Sequence, residues 1–282
     1  VKVVVTGAAG QLGTELVEIF SAHGDVVVAT THATLDITDA SAVEALVTAE
    51  KPDWILHAAA WTAVDNCEGD PDKAFAVNAT ATASIVAAAA KIGARVLYVS
   101  TDYVFDGAKK TPYVETDATN PQSVYGSSKL AGEAAMRDQD LIVRISWVCG
   151  FHGGNMVKTI LRLADSQPEL RFVNDQIGHP TFADDAARMM HTLVHANRHG
   201  IHHVTNQGAV SWYEFAREVL SAAGLDPQRV SPVATADLQP PRPARRPENS
   251  VLDNSALRAA GIPLLDDFRV PLARLVKRLK NS

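Results

Sequence analysis

Tyr125 and Lys129 stand four residues apart in the run Tyr125-Gly126-Ser127-Ser128-Lys129, a spacing that puts both on one face of a helix. An ammonium beside a phenol lowers the cost of ionising it, so the tyrosine is able to exchange a proton with a carbonyl near neutral pH. Alone, the pair fits a solvated helix face equally well. Ser100-Thr101-Asp102 raises its meaning, because these residues close an apolar run that reads as the fourth strand. The carboxyl end of such a strand is the crevice side of an open α/β sheet, where ligands bind. A threonine hydroxyl there would hold a substrate oxygen while the tyrosine delivers a proton.

A hydride donor is needed beside them, and Thr6-Gly7-Ala8-Ala9-Gly10-Gln11-Leu12-Gly13 has the pattern of its phosphate turn. Gly7 permits a tight turn, Gly10 lets the backbone approach a pyrophosphate, and Gly13 lets helix and strand pack closely. The diphosphate would then sit on the positive end of the following helix. NAD-specific turns usually carry an acidic residue at the end of the second strand. Here that end reads Ala29-Thr30-Thr31-His32. With no carboxylate to repel a 2′-phosphate, and Thr30 or Thr31 to hydrogen-bond it, NADPH is the expected cofactor. NADH remains admissible, since no arginine clamps the site.

The elements that must position these residues alternate through the first half. Val3-Val4-Val5, Val26-Val27-Val28, Trp54-Ile55-Leu56, Val96 to Val99 and Leu141-Ile142-Val143 are short apolar runs suited to a parallel sheet. Helix-length segments lie between them at 11–22, 40–49, 72–91 and 121–137. The pattern predicts an α/β, doubly wound parallel sheet of the Rossmann type with right-handed crossovers. After Val148 the rhythm breaks. Helices are expected at 156–164, 182–195 and 211–223, and dense prolines between Ser231 and Pro247 mark an irregular connection. The expected organisation is a dinucleotide-binding domain over 1–150, joined by parts of 171–200, and a smaller, non-contiguous substrate-binding lobe over 151–282.

The 282 residues carry 46% hydrophobic and 21% charged side chains, ordinary for a globular chain, and a net charge of -6 that argues against a nucleic-acid or membrane surface. Arg242, Arg245 and Arg246 are nevertheless candidates for a local phosphate-binding patch. Two cysteines specify no disulfide framework, and the opening strand has no signal-peptide character, so a cytoplasmic protein is expected. Ala79 to Ala90 is too short and too interrupted by hydroxyls for a membrane span. His191 and His195 share a helix face, but no third ligand is evident in the sequence and they read as solvated; no metal is expected. His202 and His203 would point to opposite faces of a strand.

The chain resembles the extended short-chain dehydrogenases, and within them the dTDP-4-dehydrorhamnose reductases. The matching segments are Gly7 to Leu16, His57 to Asp65, Ser100 to Gly107, Tyr125 to Glu133, Arg144 to Val148, Asn174 to Thr181 and Arg246 to Ser250. The resemblance implies that Gly10, Gln11 and Leu12 hold the pyrophosphate and that Asp36 and Ile37 meet the adenine. Ala58, Ala59 and Ala60 would line the dinucleotide. Thr101 and Tyr125 would hold and protonate the keto oxygen, and Lys129 would bind the nicotinamide ribose while lowering the tyrosine pKa. Val64, Asp102 and Trp147 would contact the sugar nucleotide. Capping of the helix that begins near Asp39 is the lesser alternative for Asp36, and core packing is an even alternative for Trp147. Glu15 falls where some relatives bind magnesium, though carboxylates are common on solvated helix faces.

The activity implied is reduction of the 4-keto group of dTDP-6-deoxy-L-lyxo-4-hexulose to dTDP-L-rhamnose, by a chain that pairs as a homodimer or acts alone. Sugar-nucleotide dehydratases follow the strand-end threonine with Asp-Glu, whereas Tyr103 follows Thr101-Asp102 here. Two alternatives stay open: a reductase of a different nucleotide 4-keto sugar, and a non-catalytic regulatory subunit similar to the beta subunit of methionine adenosyltransferase.

Overall fold

A computed structural model describes residues 1–281. Six parallel strands form the central sheet: β1 (Lys2–Thr6), β2 (Val26–Thr30), β3 (Trp54–His57), β4 (Arg95–Thr101), β5 (Leu141–Ile145) and β6 (Gly200–His203). Their order is β6-β5-β4-β3-β1-β2, so the chain reverses its direction of travel across the sheet between β1 and β3. That switch point opens a crevice at the carboxyl ends of the strands.

Alternation along β1 explains the layering. Val3 and Val5 face one side and pack with Leu16 and Phe20 of α1 (Gln11–Ala22) and Met190 of α6 (Ala183–His195). Val4 faces the other side, with Val43 of α2 (Ala40–Glu50) and Ile85 and Ala89 of α3 (Ala81–Ile92). The central strands are buried on both faces, which is why they read as continuous apolar runs rather than alternating ones. Asp39 caps α2 by accepting from the Ser41 and Ala42 amides.

One expected helix carries an unforeseen turn and another is shorter than expected. A continuous helical run, Pro71–Ile92, includes a π-helical stretch at Ala76–Thr80 and is long and apolar enough, by length and composition, to cross a membrane. Its side chains Ala81, Ile85 and Ala89 are committed to the core against the sheet, and the insertion turns Asn78 into the interior, 1% exposed. The helix expected over 121–137 is α4 (Val124–Glu133), shorter at both ends. Ser123 sets its start by accepting from the Gly126 amide at 3.1 Å.

A second hydrophobic core is built on α5 (Met156–Ser166), α7 (Trp212–Ala222) and α8 (Arg269–Lys280), around Phe215, Val219, Phe268 and Leu272. Helix α8 was not foreseen in the sequence. Between these pieces the chain returns to the first body: α6 lies against α1 and β6 pairs with β5. His202 and His203 are both buried in β6.

Candidate active site

The glycine turn is shaped by contacts that leave no room for side chains. Gly7 has φ +73°, and a Cβ there would lie 2.8 Å from the Ala59 backbone; one on Gly13 would lie 2.0 Å from the Gly7 carbonyl. Gly10 then opens α1 in an extended conformation, with no side-chain cap on the helix and no acidic residue in its first turn. The first amides are free to meet an anion. This cradle fits a dinucleotide diphosphate. Gln11 ties the turn to the segment after β5, donating to the Val148 carbonyl at 3.0 Å and accepting from Asn155 at 2.7 Å. Behind the turn, Thr6 meets buried His57, whose pKa burial drives down to about 3.

The catalytic candidates meet in the same cleft, a cavity of about 480 Å³ at the switch point, within the size range of small-molecule sites. Gly7, Gly10, Gln11, Leu12 and Gly13 line one end; Ala58 and Ala60 line its wall, with Val64, Thr101, Asp102, Tyr125, Lys129 and Trp147 beyond. Ala59 is instead packed against Gly7. Thr101 ends β4, accepts from the Tyr103 amide at 3.2 Å and donates to Asp102 at 2.9 Å. The second Asp102 oxygen is buried and makes no hydrogen bond of good geometry; burial raises that carboxyl to about 6, with the neighbouring Ser250 and Thr101 hydroxyls opposing. A buried carboxylate with spare acceptor capacity is suited to a ligand hydroxyl.

Helix α4 reaches the cleft because Gly126 lets it: a Cβ there would lie 2.2 Å from the Tyr103 carbonyl. Tyr125 is buried, and that burial raises its phenol above the usual tyrosine range, with the neighbouring Thr101 hydroxyl opposing. Lys129 follows Tyr125 by one helical turn along α4. The lysine Nζ donates to the Val99 carbonyl at 2.7 Å, lies 4.0 Å from the Tyr98 ring centre, and is itself lowered to about 7 by burial, with Glu133 opposing. The phenol is held as the acid form, which is the form that donates.

Three residues expected at the cofactor differ in exposure. Thr30 is buried and donates its hydroxyl to the Val5 carbonyl at 3.1 Å, leaving exposed Thr34 and partly exposed Thr31 as the hydroxyls beyond β2. Ile37 packs in the core beneath α2. Asp36 neither caps α2, a task Asp39 performs, nor lines the cleft; its exposed carboxylate accepts from Thr38. The arginines expected to be free for phosphate are partly committed. Arg246 makes a two-pronged pair with Asp65 at 2.6 and 2.8 Å, and Arg242 reaches it at 3.6 Å.

Two contributors, Trp212 and Asn78, were missed. Trp147 adopts φ +47° and stacks on Trp212, ring centres 3.6 Å apart at 8°, so the cleft has a two-ring wall. Asn78 accepts from the Trp61 amide at 2.8 Å and donates to Ser128 of the tyrosine helix at 3.0 Å. A lone amide inside an alanine-rich helix was the available signal. For Trp212 there was none, since a tryptophan opening a helix after a serine is unremarkable. His191 and His195, read as solvated, do find a third group: both approach Asp25.

A proton-bearing phenol beside a phosphate-binding turn, at the switch point of a parallel sheet, is the equipment of an extended short-chain dehydrogenase. More narrowly, the chain belongs to the RmlD substrate binding domain family, whose sequence model matches residues 1–281. It is 40% identical over 290 residues to the dTDP-4-dehydrorhamnose reductase of Mycobacterium tuberculosis, covering 100% of this chain and 94% of that one. The crystal structure of a dTDP-4-dehydrorhamnose reductase from Clostridium acetobutylicum matches with TM-score 0.96 at 38% identity, over 99% of this chain and 100% of that. The Bacillus anthracis enzyme of the same name, in complex with NADP, matches with TM-score 0.94 at 36% identity, over 98% and 99% of the two chains.

Proposed function

We propose that this protein reduces the 4-keto group of dTDP-6-deoxy-L-lyxo-4-hexulose with NADPH, yielding dTDP-L-rhamnose and NADP. The observation that carries the reading is one cleft lined by the glycine turn, Thr101, Tyr125 and Lys129 together. A bound dihydronicotinamide supplies the hydride that forms the new C–H bond at C4. Thr101 holds the keto oxygen, and the buried Tyr125 phenol gives that oxygen its proton, so the carbonyl becomes an alcohol as charge would otherwise develop. Lys129, poised about neutrality by burial, holds the nicotinamide ribose and re-supplies positive charge beside the spent phenolate. The Trp147–Trp212 wall and the second Asp102 oxygen face the sugar nucleotide, and the lobe around α5, α7 and α8 closes on its diphosphate end. Two buried free thiols, Cys67 and Cys149, suit a reducing compartment such as the cytoplasm.

The test is the purified protein with NADPH and a panel of nucleotide 4-keto sugars, followed at the nicotinamide absorbance band with product identification. Consumption of NADPH with the lyxo-hexulose, and formation of dTDP-L-rhamnose, is expected. Turnover with a different 4-keto sugar alone would move the substrate assignment. Tight cofactor binding without turnover of any sugar would remove the enzyme reading, and pull-down against methionine adenosyltransferase would then test a regulatory one.

A further inference from the structure

At the amino-terminal edge of the sheet, opposite the cleft, three potential ligands converge. Asp25 immediately precedes β2, and His191 and His195 lie one turn apart near the end of α6. Each imidazole directs Nε2 at the same carboxylate oxygen, Asp25 Oδ2, at 3.2 and 3.0 Å. All three ligand atoms lie within 4.8 Å of one another. Four-coordinate bonds of 2.0–2.2 Å imply ligand-to-ligand edges of roughly 3.3 Å, so the cluster is close to the size of a small metal's coordination shell.

The groups are also held in place. The Asp25 side chain is only 3% exposed and that of His191 14%, whereas His195 at 40% leaves an open approach from solvent. Phe20 packs edge-on against the His191 ring at 4.8 Å, and His23 lies 4.3 Å from it on the other side. Asp25 Oδ1 accepts from the Val1 nitrogen at 2.9 Å, leaving Oδ2 to the histidines.

We propose that Asp25, His191 and His195 bind a divalent transition-metal ion of the zinc class, with solvent completing the shell. Two imidazole nitrogens select such an ion over magnesium or calcium, which prefer all-oxygen shells. The bound ion staples the α1–β2 connection to the end of α6, far from the reacting groups, so it acts on stability rather than on the chemical step. This reading is independent of the proposed activity.

The experiment uses the untagged, chelator-treated full chain, titrated with zinc chloride by calorimetry and with cobalt(II) by visible absorption. Three variants accompany it. His195→Ala removes a ligand at a half-exposed position. His195→Gln removes the imidazole while keeping a hydrogen-bond donor for Asp25. His152→Ala disables a separate cluster, Glu15, Glu18 and His152, whose ligand atoms also lie within 4.8 Å of one another. Expected are one zinc equivalent lost in both His195 variants and retained in His152→Ala, a four-coordinate cobalt band without thiolate charge transfer, and a zinc-dependent rise in Tm that both His195 variants lack. Affinity should fall by at least about tenfold, the lower bound seen even for groups that only support a metal ligand. Binding unchanged in a folded His195→Gln variant, or abolished by His152→Ala alone, overturns the proposal. So does an absence of zinc binding by the parent chain.

Discussion

Burial strengthens the protonated state of the Tyr125 phenol, and only its oxygen separates the residue from phenylalanine. Tyr125→Phe should therefore leave folding and cofactor binding nearly intact while lowering kcat by about 10²–10⁴, the usual worth of a positioned proton donor. Near-parental steady-state turnover would remove the tyrosine from the reaction. Lys129 carries an opposite signature. Its folded pKa of about 7 lies below the ordinary lysine value, so the unfolded chain binds the extra proton between those two values. Stability of the cofactor-free protein should then rise with pH across that interval, by at most about 1.4 kcal/mol per pH unit from this group. Lys129→Met should lack that slope and be the more stable protein at pH 7, while losing cofactor affinity and activity. Denaturant midpoints from pH 6.5 to 10 check it; superimposable slopes would mean that the lysine is not desolvated as described. Thr30 is turned into the sheet, so a carboxylate meant to repel a 2′-phosphate belongs at Thr31. Thr31→Asp should shift preference from NADPH towards NADH, measured as the ratio of the two kcat/KM values.

At the scale of elements, the site depends on how closely α4 approaches the turn after β4. Gly126 sets that distance because its missing Cβ would otherwise meet the Tyr103 carbonyl at 2.2 Å. Gly126→Ala should push the helix outward, costing about 1–3 kcal/mol in stability as overpacking does, and misplacing Tyr125 relative to Thr101. A variant with parental kcat and Tm would show that the helix tolerates the shift. Asn78 supports the same helix from behind through Ser128, and it is aimed there by the π-helical turn of its own segment. Inserted residues of this kind rotate a side chain off the regular helical face, which recurs at functional sites.

Across the whole molecule, Asp65 and Arg246 tie the segment after β3 to the proline-rich strap. Burial opposes the Asp65 charge, but the hydrogen bonds from Arg246 and the Ala244 amide prevail and hold its carboxyl below the usual range. A carboxylate with a lowered folded pKa contributes stability that is present above its unfolded pKa and lost as pH falls through the folded one. Arg246→Met should lower Tm and raise KM for the sugar nucleotide at neutral pH, and the difference in Tm should shrink in acid. A pH-independent Tm difference would show that the arginine acts through packing alone.

Chain order and residue chemistry by themselves determined the alternating α/β layers, the phosphate turn, and the threonine, tyrosine and lysine at its crevice. These are local signals: apolar runs sized for buried strands, glycines before a helix, and a four-residue spacing on one helix face. Tertiary structure alone decided where single side chains point and what they meet. It turned Thr30 inward, left Asp36 to its own turn while Asp39 capped α2, and set Trp212 against Trp147. It brought Asp25 to two histidines more than 160 positions away, and it directed the Lys129 ammonium to a carbonyl rather than to the phenol. The reason is physical: a periodicity specifies which face of an element is buried, but a contact between distant residues exists only after two elements have packed. Electrostatic states follow the same rule, since desolvation is a property of the finished interior and not of any segment of sequence.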